Sequence, residues 1–266
     1  MTPQIQPYDS EFFENIHAGA SESAKQIVPL VNKLLSPRSV LDVGCGGGEW
    51  LSVFSHECKT SDFLGVDGDY VDQSALAIPP AHFRPHDLKL ALDLQRRFDL
   101  VVSLEVAEHI PFENADTFVG NLTRHGDAVL FSAAIPGQGG NYHVNEQFPE
   151  FWAAVFRGKG YSPIDILRED IWHNERVAYW YRQNILLFVN DEFLKRRPDL
   201  QAAASAGAQK PLLTRIHPTK LVQFGYYRRL FPDFNLFGFT FALAVKECRR
   251  VMKRLMEKCG LSSQAK

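Results

Sequence analysis

A glycine-rich turn after an apolar run is the feature of this sequence best suited to binding a ligand. Residues 40–50 read VLDVGCGGGEW, which is typical of a strand, a turn and the start of a helix. Gly44, Gly46 and Gly48 allow the backbone to approach a ligand closely, and the helix N-terminus supplies unpaired N–H donors. The dinucleotide-binding fingerprint needs a glycine where Glu49 stands, and a carboxylate repels a pyrophosphate. The turn therefore favours a ligand that carries no phosphate at this point.

Acidic residues follow the next predicted strands in an order that suits a nucleoside. Asp67 ends the run LGVD, where a carboxylate can accept hydrogen bonds from both hydroxyls of a ribose. Asp87 follows a short third strand and can accept from the exocyclic amine of adenine. The run FDLVVSLEVAEHI supplies a fourth strand followed by Glu105, Glu108 and His109. An Asp after a strand is also a common helix cap, so it is the combination of these elements that indicates a nucleoside site.

These motifs resemble those of the class I S-adenosylmethionine-dependent methyltransferases, in particular the group with a VLDVGCGxG motif and an FDLV…EHI segment. The resemblance covers residues 40–136 well and residues 137–189 more loosely. It implies S-adenosyl-L-methionine as cofactor and a seven-stranded sheet whose last strand is antiparallel. It places the methionine part at the glycine-rich turn, the ribose after the second strand, the adenine after the third, and the acceptor entrance after the fourth. In chain order, the residues predicted at the cofactor are Asp42, Gly44, Cys45, Gly46, Asp67, Gly68, Asp87, Leu88 and Glu105. Cys45 is predicted there only as a small side chain within the turn.

A polar loop after the fifth predicted strand is the expected acceptor site. Its sequence, IPGQGGNYHVNEQFPEFW, lies where loops at the carboxyl ends of strands form binding sites in doubly wound folds. A hydroxyl acceptor needs a base or a metal to remove its proton, so His143 is the first candidate base and His109 the second. Asn145, Glu146 and Trp152 are predicted acceptor contacts. Backbone hydrogen bonding and helix capping are the alternative roles for the polar residues of this loop.

A second polar and aromatic cluster, REDIWHNERVAYWYRQN, spans residues 168–184. Tyr181 and Arg182 could stack on a sugar ring and bond to its hydroxyls, whereas packing in the core or at a homodimer interface is the alternative. Together with the HVNEQ loop, this cluster resembles bacterial methyltransferases associated with surface-glycan assembly. The predicted acceptor is therefore a sugar or another polar small molecule.

Short apolar runs that alternate with helical segments must position these residues. Strands are predicted at residues 39–43, 63–66, 98–104, 128–132, 164–167 and 186–189, with a short one before Asp87. A helix over residues 21–35 carries apolar side chains at i, i+3 and i+4 spacing and ends before Pro37. The alternation predicts an α/β fold with a Rossmann-like doubly wound sheet, whose seventh, antiparallel strand is residues 186–189.

Composition excludes several classes of protein. The chain has 266 residues, of which 45% are hydrophobic and 23% charged, so it can bury a core and is not disordered. A net charge of −2 and the lack of an 18-residue apolar run argue against nucleic-acid binding and against a transmembrane span. The first residues lack the pattern of a secretory signal, which favours the cytoplasm. The four cysteines and the histidines show no metal-ligand spacing, so no metal is predicted.

The C-terminal part differs in charge from the rest of the chain. Residues 211–266 hold eleven Lys/Arg against three Asp/Glu, a net of +8 that leaves −10 for residues 1–210. We therefore predict a methyltransferase domain over residues 1–196, a linker over residues 197–210 and a basic helical segment over residues 211–266. Residues 246–259 have the pattern of a basic amphipathic helix, which could pack on the protein or contact anionic lipid at the inner face of the membrane.

The sequence as a whole predicts an S-adenosylmethionine-dependent methyltransferase that O-methylates a sugar or glycan intermediate. An N- or O-methyltransferase for a small metabolite or a lipid-linked acceptor is one alternative. A non-catalytic partner subunit that keeps the fold is another, and a homodimer is the expected assembly if the aromatic cluster is an interface.

Overall fold

The computed structural model describes residues 10–208 and 212–223. Within these residues, seven strands form one mixed sheet. They are β1 (Ser39–Val43), β2 (Asp62–Asp67), β3 (Phe83–Pro85), β4 (Leu100–Leu104), β5 (Ala128–Ser132), β6 (Tyr161–Ile164) and β7 (Leu186–Asn190). Their order is β3-β2-β1-β4-β5-β7-β6, and β7 runs antiparallel to both of its neighbours whereas the other pairs are parallel. The predicted Rossmann-like sheet with an antiparallel last strand is confirmed.

Helices cover both faces of this sheet. They are α1 (Ser10–Leu35), α2 (Glu49–Cys58), α3 (Ala115–His125), α4 (Pro149–Arg157), α5 (Arg168–Ile171), α6 (Tyr179–Asn184), α7 (Asp191–Lys195), α8 (Pro198–Ala208) and α9 (Pro218–Gln223). On one face, Ile27 of α1 and Phe54 of α2 belong to one buried cluster; on the other, Phe118 of α3 and Phe156 of α4 belong to a second. Burial on both faces explains why β4 and β5 are apolar at all but one position each.

Helix α1 begins earlier than the apolar pattern predicts. The sequence indicates a start near residue 21, whereas the helix begins at Ser10. The predicted apolar stripe does face the core, since Ala24, Ile27 and Val28 are completely buried. The helix ends at Leu35, before Pro37, as expected from the restriction that a proline places on the preceding residue.

The strand predicted at residues 164–167 lies three residues earlier, at Tyr161–Ile164. This strand is at the edge of the sheet and pairs only with β7, so it tolerates Pro163, which lacks an N–H donor. The hydroxyl of Tyr161 donates to the carbonyl of Gly126 at 2.5 Å and anchors the start of the strand. An apolar run alone does not reveal this anchor, which is why the predicted boundaries are wrong here.

The predicted linker contains helix α8, and the chain after it contacts helix α4. Within α8, Leu200 is completely buried. Further on, the hydroxyl of Thr214 donates to the carboxylate of Glu150 at 2.5 Å. The compact unit that contains the sheet extends to Lys220, and the domain boundary after residue 196 stays a prediction.

The predicted basic amphipathic helix at residues 246–259 lies outside the described residues. Within the part of the chain that the structure describes, no helix combines the length and the apolar character needed to cross a bilayer.

Candidate active site

The candidate site lies along the edge of the sheet where the parallel strands β1, β2, β4 and β5 end. The order of strands reverses between β1 and β4, because the chain proceeds from β1 to β2 on one side and from β4 to β5 on the other. Connections that leave a sheet in opposite directions open a crevice at this point. The topology therefore brings together the glycine-rich turn, Asp67, Glu105 and the His143 loop, which follow or end these four strands.

The glycine-rich turn closes tightly at one residue and leaves space at another. The N–H of Gly44 donates to the carbonyl of Val66 at 2.7 Å. Gly44 has a φ of +85°, and a Cβ atom there would lie 2.4 Å from a methyl carbon of Val106, so no side chain fits. Gly46 has a φ of +52°, but its Cβ would meet no atom of the described residues within 4 Å. A ligand can therefore approach the backbone at Gly46.

Asp67 presents a buried carboxylate to this turn and is only 4% exposed. Its Oδ2 accepts from the N–H of Gly46 at 2.7 Å, and its Oδ1 accepts from the N–H of Gly68 at 2.7 Å and from the hydroxyl of Tyr70 at 2.5 Å. Burial raises the pKa of Asp67, and these hydrogen bonds act in the opposite direction. The bond from Tyr70 shows that this carboxylate can accept a hydrogen bond from a hydroxyl group.

Two other residues of the turn region are buried beside Asp67. Asp42 is 2% exposed, and its pKa is raised well above the usual range, first by burial and then by the charge of Asp67. Its Oδ2 has no hydrogen-bond partner among the described residues. Burial also raises the pKa of the Cys45 thiol, and Asp42 adds to the effect. Cys45 is therefore a protonated small side chain, in line with its predicted place in the turn.

The residues predicted to contact adenine lie next to the end of β2. The N–H of His86 donates to the backbone carbonyl of Asp67 at 2.7 Å, which brings the following two residues to this edge. Leu88 is 8% exposed and belongs to a core cluster. The Asp87 carboxylate accepts from the N–H of Lys89 at 3.0 Å and pairs with its ammonium group at 3.4 Å. Asp87 is thus engaged in a local turn in this structure.

Glu105, directly after β4, is the centre of a buried amide network. Its backbone has a φ of +56°. The side-chain amide of Gln138 donates to Oε2 at 2.7 Å, and that of Asn184 donates to Oε1 at 3.1 Å. Burial raises the pKa of Glu105, and these donors oppose that effect. Gln138 and Asn184 were not predicted as site residues, because isolated amides within a loop and a short helix have no characteristic spacing.

Residues 212–223, which follow helix α8, also contact the amide network around Glu105. The N–H of His217 donates to the side-chain oxygen of Gln183 at 2.9 Å, and the ammonium group of Lys220 donates to the carbonyl of Gln138. Burial lowers the pKa of Lys220 to about 8. The sequence predicted this stretch as part of a separate segment, since its basic composition gives no sign of contact with the site.

Glu108, His109 and His143 form a cluster close to Glu105. One carboxylate oxygen or ring nitrogen from each lies within 4.8 Å of those from the other two. The Nε2 of His143 is 4.0 Å from Oε1 of Glu108, and the rings of His109 and His143 meet edge to face with centroids 4.9 Å apart. The two histidines predicted as candidate bases therefore lie together, beside a carboxyl group that is 1% exposed.

Glu146 organises the loop that carries His143. Its carboxylate accepts from the N–H groups of Gly137 and Gly139 at 2.6 and 2.8 Å, and from Nδ1 of His143 at 2.9 Å. The backbone N–H of Asn145 also donates to the carbonyl of Glu108 at 3.0 Å, which ties the loop to the end of β4. Glu146 and Asn145 were predicted to contact the acceptor, and in the structure both hold the loop in place.

Burial shifts the protonation of the cluster. It raises the pKa of Glu108 well above the usual range, and Glu105 raises it further. It lowers the pKa of His109 to about 4, and the charge of His143 acts in the same direction. His109 is therefore neutral at pH 7, with a hydrogen bond to the backbone of Tyr142. Among the described residues, Oε2 of Glu108 and Nδ1 of His109 have no hydrogen-bond partner.

Three predicted acceptor contacts are buried in packing positions instead. Trp152 is 1% exposed and packs on Phe131, with ring centroids 5.5 Å apart, because α4 directs it toward the sheet. Tyr181 is 5% exposed and meets Trp50 edge to face at 5.2 Å. Arg182 is 8% exposed. These three side chains therefore have little exposed surface to offer an acceptor.

A separate open concavity of about 430 Å³ lies at the opposite, amino end of the parallel strands, where Arg97, Lys159 and Tyr161 contribute to its lining. Two of the cations that line it have partners, since Arg97 pairs with Asp127 at 2.5 Å and Lys159 pairs with Asp116 at 2.8 Å. The concavity is therefore remote from the crevice and is not part of the candidate site.

Comparison with protein families agrees with this fold. The model of a family described as "Methyltransferase domain" matches residues 16–166, which is more than half of the chain and includes the turn, Asp67 and the Glu108–His109–His143 cluster. The chain therefore belongs to this methyltransferase family. A comparison with curated proteins found no significant match.

Solved structures of bacterial proteins, methyltransferases among them, have the same fold. A proposed O-methyltransferase from Nostoc punctiforme aligns with a TM-score of 0.52 and 15% identity, over 68% of this chain and 59% of its own. DesVI from Streptomyces venezuelae aligns with a TM-score of 0.51 and 15% identity, over 69% of this chain and 99% of its own. The sugar N-methyltransferase KedS8 from a Streptoalloteichus species aligns with a TM-score of 0.51 and 16% identity, over 71% of this chain and 96% of its own. At these identities the similarity establishes the fold alone.

Replacing Glu146 by Ala tests whether this carboxylate holds the His143 loop. We expect the amides of Gly137 and Gly139 to exchange with deuterium about tenfold faster or more, because a hydrogen bond to a charged group contributes about 1.5–3 kcal/mol. Hydrogen exchange followed by mass spectrometry compares this variant with Glu113→Ala, which removes an exposed carboxylate elsewhere. Equal exchange of the loop in both variants would contradict the assignment.

Proposed function

We propose that this chain transfers the methyl group of S-adenosylmethionine to a hydroxyl group of a polar acceptor, such as a sugar or glycan intermediate. The observation that carries the proposal is the cluster of Glu108, His109 and His143 beside the crevice. An amine or thiol acceptor needs little help with its proton, whereas a hydroxyl needs a base or a cation near its oxygen. A buried carboxyl group with two imidazoles can supply either one.

The crevice residues fit the proposed cofactor. S-adenosylmethionine supplies a methyl group on a positively charged sulfonium. Burial raises the pKa values of Asp42, Asp67 and Glu105, and a positive charge close to them would favour their ionised forms. Gly46 leaves its backbone open to the methionine part, and Asp67 provides the carboxylate for the ribose. Glu49 at the start of α2 disfavours a cofactor with a pyrophosphate.

Ribose binding at Asp67 requires a movement of Tyr70, because the hydroxyl of Tyr70 already donates to Oδ1 of the Asp67 carboxylate that would bind the ribose. The ring of Tyr70 also covers Gly68, because a Cβ atom at Gly68 would lie 2.1 Å from it. Tyr70 is 59% exposed, so it can turn toward solvent without disturbing the core. In this proposal the movement uncovers both residues assigned to the ribose.

The chain's own residues would act chiefly by positioning the acceptor and receiving its proton. Methyl transfer is an in-line displacement, for which proximity and orientation provide most of the acceleration. Glu146 orients His143, and His143 faces Glu108, so the acceptor oxygen is expected between the cluster and the crevice.

The glycan nature of the acceptor, a homodimer, a cytoplasmic location and membrane contact through the basic tail remain predictions within this proposal.

The Asp67→Ala variant tests the cofactor assignment. We expect its Kd for S-adenosylhomocysteine to rise about tenfold or more, because hydrogen bonds to a charged group contribute about 1.5–3 kcal/mol each. Isothermal titration calorimetry compares it with wild type and with Asp69→Ala, which removes an exposed carboxylate two residues away. NAD should not bind. If folded wild type binds neither S-adenosylmethionine nor S-adenosylhomocysteine, the cofactor assignment is wrong.

Methyl transfer from tritium-labelled S-adenosylmethionine tests the acceptor class. The panel contains monosaccharides, nucleotide sugars, lipid-linked sugars and amines, and mass spectrometry identifies the methylated atom. We expect an O-methylated product, with turnover about a hundredfold lower or more in His143→Ala and unchanged in the exposed control His173→Ala. A product methylated only on nitrogen would favour the N-methyltransferase alternative. Cofactor binding without transfer to any acceptor would favour a non-catalytic subunit.

A further inference from the structure

We infer that Glu108, His109 and His143 form a binding site for one divalent transition-metal cation. The sequence predicted no metal, since Glu108 and His109 follow β4 whereas His143 lies in the loop after β5. These strands are parallel neighbours, so their following loops meet at one edge of the sheet. The fold thereby joins a ligand set that spacing along the chain does not show.

Acceptor atoms of all three residues converge in this cluster. A carboxylate can only accept, so the Nδ1 of His143 that bonds to Glu146 carries a proton and leaves Nε2 as the free ring nitrogen. That Nε2 lies 4.0 Å from Oε1 of Glu108, beyond the usual hydrogen-bond range of about 2.7–3.2 Å. The two side chains therefore do not share a proton directly.

The second observation is the lack of partners for two buried polar atoms. Among the described residues, Oε2 of Glu108 and Nδ1 of His109 have no hydrogen-bond partner, and Glu108 is only 1% exposed. Buried polar atoms in folded proteins nearly always have a partner. A cation held between the carboxylate and the two rings would satisfy these atoms together.

The distances are compatible with a shared ion. The three candidate ligand atoms, one each from Glu108, His109 and His143, lie within 4.8 Å of one another. Ligand atoms about 2.0–2.2 Å from a tetrahedral cation lie about 3.4 Å apart, so a shift of about 1 Å in each side chain brings them into place. Small rotations of a Glu and two His side chains provide such a shift.

The surroundings of His143 are those of a metal-ligating histidine. Such residues usually donate their second ring N–H to a carboxylate, which fixes the orientation of the ring, and Glu146 accepts in this way at 2.9 Å. The loop is fixed further by the N–H groups of Val144 and Asn145, which donate to the carbonyl of Glu108 at 2.9 and 3.0 Å. Ring and carboxylate are thus held facing each other.

The donor types indicate the class of cation. Two imidazole nitrogens and one carboxylate oxygen suit Zn²⁺, Fe²⁺, Co²⁺ or Mn²⁺ better than Mg²⁺ or Ca²⁺, which prefer oxygen ligands. Three protein ligands leave a coordination position open, and a hydroxyl bound there would lose its proton more easily. This last role rests on the proposed function, whereas binding of the cation does not.

Titration with Co²⁺ tests the site without cofactor or acceptor. The full chain, without a histidine tag and after treatment with a chelator, is titrated by calorimetry and by visible absorption, which reports nitrogen coordination of cobalt. We expect one equivalent to bind, with affinity lost in Glu108→Gln and in His143→Gln. Glu146→Ala should weaken binding by about 10–100-fold, as expected for a carboxylate that orients a ligand. The exposed control His173→Gln should bind like wild type.

Circular dichroism and S-adenosylhomocysteine affinity show whether each variant is folded. If buried Glu108→Gln does not fold, His143→Gln decides the matter, because His143 lies in a loop and its side chain is 12% exposed. The inference is overturned if folded wild type binds no stoichiometric Co²⁺, or if His143→Gln binds it as wild type does. Since cofactor and acceptor are absent from the titration, failure of the metal site is distinguishable from failure of the proposed methyl transfer.

Discussion

The reversal of strand order between β1 and β4 is the constraint on which the rest of the site depends. The register aligns Asp42 of β1 with Gly65 of β2 and Val102 of β4, so these strands end at a similar level. The hydroxyl of Ser103 donates to the carbonyl of Val43 at 2.7 Å and joins the ends of β4 and β1. Every loop with a proposed role leaves the sheet at this edge, and that common origin allows residues distant in sequence to act together.

The second constraint is electrostatic, because this edge buries several carboxyl groups. Two of them have their own donors: backbone N–H groups and Tyr70 donate to Asp67, and the amides of Gln138 and Asn184 donate to Glu105. Glu108 and Asp42 each keep an oxygen without a partner among the described residues. A site with this balance favours positively charged species, which is consistent with a sulfonium cofactor in the crevice and a cation in the cluster.

The sequence was sufficient for the central strands and for the glycine-rich turn, because buried central strands are almost entirely apolar and a turn such as that at Gly44 excludes side chains. It was insufficient wherever a role depends on contacts between distant segments. Trp152 was predicted as an acceptor contact, since the pattern of the short helix α4 does not show which side chains face the sheet. The convergence of Glu108 with His143 and the contact of Lys220 with Gln138 arise only after folding.

A crystal structure of the chain with S-adenosylhomocysteine and Mn²⁺, with anomalous diffraction data for manganese, would test whether the crevice holds the nucleoside and the cluster holds the cation. We expect the ribose at Asp67, the sulfur beside Gly46, and a manganese peak among Glu108, His109 and His143, facing the sulfur across the crevice. Nucleoside density elsewhere on the protein would contradict the assignment of the crevice. A manganese peak remote from the cluster, with the ligand in the crevice, would contradict the proposed way in which the acceptor hydroxyl is activated.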